Sequence, residues 1–362
     1  MGRLCYISRR YYDRLSAGNK AKCDYEDIVA SVGGINLGLR RSFGESRTAA
    51  FFLNLAGTMR ACALLRRGDT LFLQYPVKKY FGLLCRAAHL RGAGVVAFIH
   101  DLGCCRRHKL TVAEELRRLS KADYIIAAND AMVDWLRAQG FAKPVCALGL
   151  HDYLSEAAHE PSGGTNAGDW TLTYAGALNR RKNAFITHLD EIVTPPSNSI
   201  TLHLYGSLGD YRPSRSSQVC IVEHGYLASD DFITSADGDF GLVWDGDSLD
   251  ACTGDFGDYL RLNTPHKCSF YLRAGLPLVV WREAAVAPIV EREGIGLVVD
   301  SLRDLPEALS QVDAARMAAM RVNVKRVAAR LAAGANMKAA LTMRFTANIV
   351  KNNEISKSIT LL

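Results

Sequence analysis

Short apolar segments alternate with longer segments of helical spacing along most of this chain. In the first half, strands are predicted at CYIS near the N-terminus and at residues 70–76, 94–102, 122–130 and 144–150. Helices are predicted between them, at residues 19–32, 80–91, 111–120 and 131–139. Strands that alternate with helices of about ten to fifteen residues are typical of βαβ units. The first half is therefore predicted to contain a parallel sheet.

The alternation stops at HEPSGGTNAGD, residues 159–169, and then resumes. The glycine, serine, proline and asparagine content of this segment predicts a linker. Further strands are predicted at residues 170–176, 199–206, 218–225, 238–246, 276–281 and 294–300. Helices are predicted at residues 265–274 and along an Ala/Arg-rich stretch at 313–340. We therefore predict an α/β domain at residues 1–158, a linker at 159–169 and a second α/β domain at 170–340. A C-terminal tail or return segment is predicted at residues 341–362.

The composition suits two ordinary domains in a reducing compartment. Hydrophobic residues make up 49% of the 362 residues and charged residues 22%, so each half can bury a core. No stretch approaches the roughly 20 apolar residues that span a bilayer, and the N-terminus lacks the apolar run of a secretory signal. The ten cysteines include no CxxC pair. Free thiols, a cytoplasmic location and no metal site are expected.

Positive charge is concentrated in the first half of the chain. Residues 1–160 hold 24 Lys and Arg against 15 Asp and Glu; out of totals of 44 and 37, the remainder holds 20 against 22. The basic residues form dispersed pairs without a nucleic-acid motif, so nucleic acid is not expected as a partner. Two interpretations stay open: an ordinary solvated surface, and peripheral contact with the anionic inner face of a membrane. Oligomeric state also stays open, a homo-oligomer included.

The segment NTPHKCSFYLRAGLPLVVW, residues 263–281, has the chemistry of a diphosphate site. Pro265 and His266 begin a predicted helix, where unpaired amides and the helix dipole attract anions. Lys267 adds a full positive charge, and Asn263 can hydrogen-bond a ribose or phosphate oxygen. The alternative is an ordinary connection between a helix and a strand, with one solvated lysine.

This segment resembles the N-x-P-H-K-x-S-x-Y-L-x-A-G-L-P signature of a bacterial glycosyltransferase family, and the upstream GDFGDYLRLN extends the match. The family includes beta-1,6-galactofuranosyltransferases and the glucosyltransferases that extend GlcNAc on serine-rich-repeat adhesins. The resemblance implies the GT-B fold, in which two Rossmann-like domains with parallel sheets face a central cleft. It also implies that Asn263, Pro265, His266 and Lys267 contact the UDP of a donor.

Further donor contacts are expected at other strand ends of the second half, because ligands of open α/β sheets bind at the carboxyl ends of strands. In YAGALNRRKN a turn at Gly176 precedes several cations that can neutralise a diphosphate. This segment resembles the family's AGNL turn, but Ala177 stands where Asn is expected. The assignment therefore stays open among Asn179, Arg180, Arg181 and Lys182. Two further turns offer donor contacts. Gly206 permits close approach of the backbone to a ligand, and His224 and Tyr226 can flank the uracil or ribose.

Two segments of the first half carry candidate chemistry on the acceptor side. SAGNKAK, residues 16–22, resembles the family's first loop, and Gly18 and Lys20 are the residues to test there. The strand at 94–102 ends in Ile-His-Asp, and an inverting transfer needs a general base at such a position. Asp101 is predicted as that base, with His100 second and Asp152 as a rival. The alternative is a capping Asp101 beside a core histidine.

The resemblance and the residues together predict a UDP-sugar-dependent hexosyltransferase. It would move glucose or galactofuranose to a glycan, glycoprotein or lipid-linked sugar, with cationic side chains in place of a metal and no cofactor besides the donor. Two alternatives remain, a catalytically silent UDP-binding subunit and another twin-Rossmann enzyme such as an epimerase or an NAD-dependent oxidoreductase. The chain lacks the GxGxxG fingerprint of dinucleotide binding, which disfavours a nicotinamide cofactor.

Overall fold

The computed structural model describes residues 2–11, 17–44, 46–76, 80–159, 168–194, 199–207 and 219–343. Its contacts divide the chain into two compact units. The first unit comprises Met1–Leu102, Thr111–Leu148 and Gly334–Leu362, and the second comprises Gly103–Leu110 and Gly149–Ala333. Among the described residues, no helix is both long and apolar enough to cross a membrane.

The first half of the chain has short strands with helices between them. The strands are β1 Leu4–Tyr6, β2 Arg10–Tyr11, β3 Ile35–Asn36, β4 Ser42–Phe43, β5 Thr70–Tyr75, β6 Gly94–Ile99, β7 Tyr124–Ala127 and β8 Val145–Ala147. The helices are α1 Ala17–Ser31, α2 Arg47–Leu64, α3 Phe81–Leu90, α4 Gly103–Arg106, α5 Val112–Leu119 and α6 Asp130–Ala138. Six strands pair in parallel in the order β3-β1-β5-β6-β7-β8, while β2 and β4 form a separate parallel pair.

The central strands of this sheet are buried because they are apolar on both faces. Every residue of β7 is buried, as are all of β6 except Gly94, the pattern expected of a parallel sheet covered by helices on both sides. Local signals fix the helix starts between them. Thr111 and Glu114 form a capping box at α5, and the Asn129 side chain accepts a hydrogen bond from the Met132 amide at the start of α6.

The second half repeats this architecture. Its strands are β9 Asp169–Ala175, β10 Ser199–Tyr205, β11 Val219–Gly225, β12 Phe240–Val243, β13 Leu278–Trp281 and β14 Gly296–Val299. Its α-helices are α7 Arg180–Asn183, α8 Ser229–Ser235, α9 Gly254–Gly257, α10 His266–Arg273, α11 Ala287–Glu293, α12 Leu305–Ser310 and α13 Ala314–Ala332, and its 3-10 helices are Ala184–Glu191, Asp258–Arg261 and Leu302–Asp304. The strands pair in parallel in the order β11-β10-β9-β12-β13-β14. The prediction of two α/β domains with parallel sheets is confirmed.

The strand order of the second sheet fixes where a ligand can bind. The chain runs outward from β9 through β10 to β11, and then returns to the other side of β9 to add β12, β13 and β14. The order therefore reverses between β9 and β12. Such a reversal leaves a crevice beyond the carboxyl ends of the two neighbouring strands, because their connections leave in opposite directions.

The units do not follow the sequence bounds at three places. The second unit begins at Gly149, before the predicted linker, because the chain after it packs on α10 and α13. There the Ser269 hydroxyl donates to the His151 carbonyl at 2.5 Å, and the Tyr153 amide donates to the Leu331 carbonyl at 3.1 Å. Residues 103–110 group with the second unit, and helical residues 335–343 with the first. Linker residues 160–167 and tail residues 344–362 lie outside the described part.

Gly206, which follows β10, has no room for a side chain. Its φ is +152°, and a Cβ there would lie 2.0 Å from the Gly176 carbonyl oxygen. We expect Gly206→Ala to lower the free energy of unfolding of the second unit by about 3–5 kcal/mol, because both the strain and the overlap must be relieved by moving backbone. Denaturant unfolding followed by tryptophan fluorescence measures this loss of stability. Three of the four tryptophans lie in the second unit, and Trp135 lies in the first.

The matched control is Gly18→Ala in α1, where the added methyl group meets nothing within 4 Å. Alanine is favoured over glycine inside a helix, so this variant is expected to be neutral or slightly stabilising. Equal stability of the two variants would contradict the account of Gly206.

Candidate functional site

A buried polar cluster lies at the β9–β12 reversal point. The Lys267 ammonium, in the first turn of α10, lies 2.8 Å from Asp245 Oδ1 and 3.3 Å from the Tyr174 hydroxyl. That hydroxyl donates to Asp245 Oδ1 at 2.7 Å and accepts a hydrogen bond from the Asn183 side-chain amide. Tyr174 comes from β9, Asp245 follows β12, and Asn183 ends α7. Four separate segments therefore meet at one carboxylate.

A second lysine shares this carboxylate. Lys182 Nζ lies 3.8 Å from Asp245 Oδ1, and its side chain is only 18% exposed. Burial lowers the Lys182 pKa to about 8; Lys267 and Arg106 lower it further, while Asp245 raises it. Two ammonium groups thus share one carboxylate, and the Arg106 guanidinium adds positive charge near Lys182. The cluster carries more positive than negative charge, and it favours a bound anion.

The start of α10 adds hydrogen-bond donors beside this charge. Pro265 is the residue before the helix, and it makes no side-chain capping hydrogen bond. The first amides of an α-helix have no partners within the helix, and they lie at its positive end. Asn263 lies just upstream, and its side-chain oxygen is buried without a hydrogen bond from any described residue. The His266 ring stacks on His151 with centroids 4.5 Å apart.

Glycines line the neighbouring strand ends. Gly176 and Gly206 follow β9 and β10, and both have positive φ. The Gly176 amide donates to the Tyr205 carbonyl at 3.0 Å, and the Gly206 amide donates to the Gly225 carbonyl at 2.7 Å. The Lys182 ammonium lies 3.8 Å from where a Gly176 Cβ would be. Backbone therefore takes the place of a side chain at Gly176, which leaves room for a ligand close to the lysine, whereas the space beside Gly206 is filled by the Gly176 carbonyl.

The other cations of this turn are more exposed. Asn179 and Arg180 are exposed at the start of α7, and the Asn179 amide donates to the Asn183 side chain at 2.8 Å. Arg181 pairs with Asp255 and lies over the Phe256 ring. Of the four residues left open by the sequence, the structure brings Lys182 to the buried cluster.

His224 and Tyr226 lie at the end of the edge strand β11. The His224 ring stacks on Tyr205 with centroids 4.4 Å apart and 6° between the planes, and Tyr226 is 54% exposed. Two strand spacings separate β11 from β9, a distance of about 10 Å. The two rings are thus displaced sideways from the lysine cluster along the same sheet edge.

The first unit holds the acceptor-side candidates. His100 and Asp101 follow β6; His100 Nε2 lies 2.8 Å from Gln74 Oε1, and Asp101 is half-buried. Lys20 pairs with Asp24 one helical turn further on, at 2.6 Å. Gly18 lies in α1 with open space beside it. The rival carboxylate Asp152 is fully buried and belongs to the second unit.

The sequence interpretation missed Asp245, which the whole cluster surrounds. A signal was present, because Asp245 and Asp247 have D-x-D spacing and two such carboxylates suit a divalent cation. In the structure Asp245 Oδ1 is engaged by Lys267, and Asp247 accepts from the Thr253 hydroxyl. Tyr174 and Asn183 were also missed, since nothing in the sequence places them near the lysine.

Two family models match consecutive parts of the chain. The glucosyltransferase 3-like N-terminal domain matches residues 4–150, and the glucosyltransferase 3-like C-terminal domain matches residues 172–343. Together they cover most of the chain, and the resemblance seen in the sequence is confirmed.

The chain is also similar in sequence to two named proteins. The chain is 27% identical over 346 residues to the beta-1,6-galactofuranosyltransferase WbbI of Escherichia coli K12, covering 91% of this chain and 95% of the relative. It is 23% identical over 245 residues to glucosyltransferase 3 of Streptococcus gordonii, covering 66% of this chain and 67% of the relative. Both relatives are named as sugar transferases.

Solved structures share the fold. The galactosyltransferase WaaB of the lipopolysaccharide outer core superposes with a TM-score of 0.60 at 12% identity, over 94% of this chain and 99% of that one. Anabaena HepE, in complex with UDP and glucose, superposes with a TM-score of 0.56 at 14% identity over the same shares. At such identities the likeness concerns the fold, which is GT-B. The chain belongs to the glucosyltransferase 3-like family and is a glycosyltransferase of the GT-B type.

Proposed function

We propose that the protein transfers a hexose, glucose or galactofuranose, from a UDP-sugar to a glycan, glycoprotein or lipid-linked sugar. The observation that carries the proposal is the cationic cluster at the β9–β12 reversal point, where Lys182 and Lys267 share Asp245. A diphosphate supplies the negative charge that this cluster lacks. The relative HepE is described with UDP and glucose bound, which supports UDP as the nucleotide.

The donor is proposed to lie along the carboxyl edge of the second sheet. Its diphosphate would accept hydrogen bonds from Lys182, Lys267 and the first amides of α10, with Gly176 after β9 allowing close approach. Asn263 offers a buried oxygen to a ribose hydroxyl. The uracil would lie toward His224 and Tyr226, about 10 Å along the edge.

Cationic side chains are proposed to stabilise the leaving diphosphate without a metal. Asp245 is the carboxylate best placed to hold a divalent cation, but an ammonium group already lies 2.8 Å from it and another 3.8 Å away. A metal there would have to displace both lysines. Positive charge fixed in this way stabilises the negative charge that develops on the leaving group.

Asp101 is proposed as the base that accepts the proton of the acceptor hydroxyl, with His100 as the alternative. Both follow β6 at the carboxyl end of the first sheet, and the contact of His100 with Gln74 holds its ring in place. Complete burial of Asp152 argues against that rival, because a base must touch the acceptor. The acceptor hydroxyl would then attack the anomeric carbon while UDP leaves.

We expect calorimetry with UDP, GDP, ADP and CMP to show preferential binding of UDP. Lys267→Met keeps the side-chain stem over the Tyr174 ring but removes the charge, and should weaken UDP binding by about 1.5–3 kcal/mol, or about 10- to 150-fold. The matched control is Lys325→Met, an exposed lysine on α13 of the same unit. Unchanged UDP affinity in Lys267→Met would refute the proposed diphosphate site.

UDP affinity should fall as the pH rises above about 8. The Lys182 pKa of about 8 belongs to the free protein, and a bound diphosphate raises it by favouring the charged form. Below this pKa Lys182 is already protonated, so the affinity is constant. Above it, binding must first take up a proton, so affinity is lost by up to about tenfold per pH unit. Titrations between pH 7 and 9 should show this slope in the wild type and a flat profile in Lys182→Met.

Asp101→Asn should lower hydrolysis of UDP-glucose or UDP-galactofuranose by about 10²- to 10⁴-fold while UDP binding stays unchanged, because only proton transfer is lost. Asp134→Asn, exposed on α6, is the control. The assay contains EDTA, so turnover in the control also tests metal independence. UDP binding without turnover of either sugar would indicate a silent subunit, and a copurifying nicotinamide cofactor would indicate another enzyme class.

A further inference from the structure

Helix α2 presents an apolar side to solvent, where a surface helix ordinarily carries charge. Phe52, Ala56, Met59 and Ala63 recur at spacings of four, three and four residues and so share one side of the helix. All four are exposed, Phe52 by 61% and Met59 by 56%. The buried residues of α2 lie on the opposite side: Gly57, Thr58 and Ala61.

The neighbouring helix α3 also exposes large apolar side chains. Its Leu83 is 45% exposed and its Leu90 81% exposed. Six of the thirteen exposed large hydrophobic side chains among the described residues lie on these two helices. The helices contribute only 18 and 10 residues, so the exposed apolar side chains are concentrated there. We call the exposed large apolar side chains of these two helices the α2–α3 face: Phe51, Phe52, Met59, Leu64, Leu83 and Leu90.

The chain segment that contains both helices is strongly basic, although Asp123 from outside it lies 3.1 Å from His89 in the last turn of α3. Residues 40–94 contain ten Lys and Arg but only two acidic residues, Glu45 and Asp69. Neither α2 nor α3 contains an acidic residue, and Asp69 is neutralised by its ion pair with Arg3. Arginines are exposed on or beside both helices: Arg40, Arg47, Arg60, Arg66, Arg67, Arg86 and Arg91.

The positive charge of this segment favours one occupant of the α2–α3 face over another. A second copy of the chain, joined by a two-fold axis, would bring the same basic surface against itself, and like charges across an interface are unfavourable. Apolar side chains flanked by arginine are the pattern of helices that lie in a membrane interface. Anionic headgroups attract each nearby Lys or Arg, while the apolar side chains enter the acyl boundary.

We propose that the α2–α3 face docks on an anionic phospholipid membrane, with Phe52 and Met59 inserted at the boundary between headgroups and acyl chains. The docking surface is independent of the activity. That docking brings the enzyme to a lipid-linked acceptor rests on the proposed function. The sheet edges that carry the candidate sites are formed by other segments, so docking and donor binding can be measured separately.

Cosedimentation with vesicles tests this docking. We expect the full chain to bind vesicles in which phosphatidylglycerol replaces about a third of the phosphatidylcholine, to bind pure phosphatidylcholine at least about tenfold more weakly, and to be released by high salt. Phe52→Ser combined with Met59→Ser should reduce binding to the anionic vesicles by about tenfold or more, because polar groups replace the inserted ones.

Val322→Ser is the matched control, since Val322 is 69% exposed on α13 of the second unit and should not affect vesicle binding. Circular dichroism and thermal unfolding of each variant show whether both units are folded, so loss of vesicle binding by a folded variant supports the docking surface. Equal binding to neutral vesicles, or no binding to either kind, overturns it.

A wild-type dimer that the double variant converts to a monomer, without vesicle binding, assigns the face to a second copy. Vesicle binding in a wild type that does not bind UDP contradicts the proposed function alone.

Discussion

One carboxylate shared by two buried ammonium groups organises the second unit around its candidate site. Asp245 accepts from Tyr174 and pairs with Lys267, while Lys182 lies 3.8 Å away. Removal of such a carboxylate would leave two positive charges in a poorly solvated place, which is strongly unfavourable. The same scarcity of negative charge makes the cluster receptive to a diphosphate. Stability of the free protein and affinity for an anion thus depend on the same electrostatic imbalance.

The sequence predicts the parts of the site that are local in the chain. Lys267 follows a helix-starting proline, and a cation at a helix start indicates anion binding whatever surrounds it. Asp245 could not be assigned its role in the same way, because its contact with Tyr174 depends on β9 and β12 being neighbours. Asp245 lies 71 residues after Tyr174 in the sequence, and only the strand order brings the two together.

The domain bounds show a similar limit. A flexible composition at 159–169 indicated a linker, yet the preceding residues already belong to the second unit. Amino-acid composition indicates where a segment does not favour a helix or strand, but it does not indicate which unit the adjoining residues pack on. Two hydrogen bonds between the backbone near His151 and Tyr153 and the helices of the second unit decide that question. The core strands, by contrast, were predictable because an apolar run buried on both faces has few alternatives.

Helix α2 escaped the sequence interpretation for a reason that bears on its role. A surface helix is recognised by polar residues on one side, and in FFLNLAGTMRACAL that side is apolar. The sequence lacks an amphipathic pattern here because the exposed side of the helix is apolar. We propose that the exposed apolar side of this helix meets a second nonaqueous environment, and the arginines around it favour one with negative charge. The same residues that obscure the element in the sequence thus indicate what it contacts.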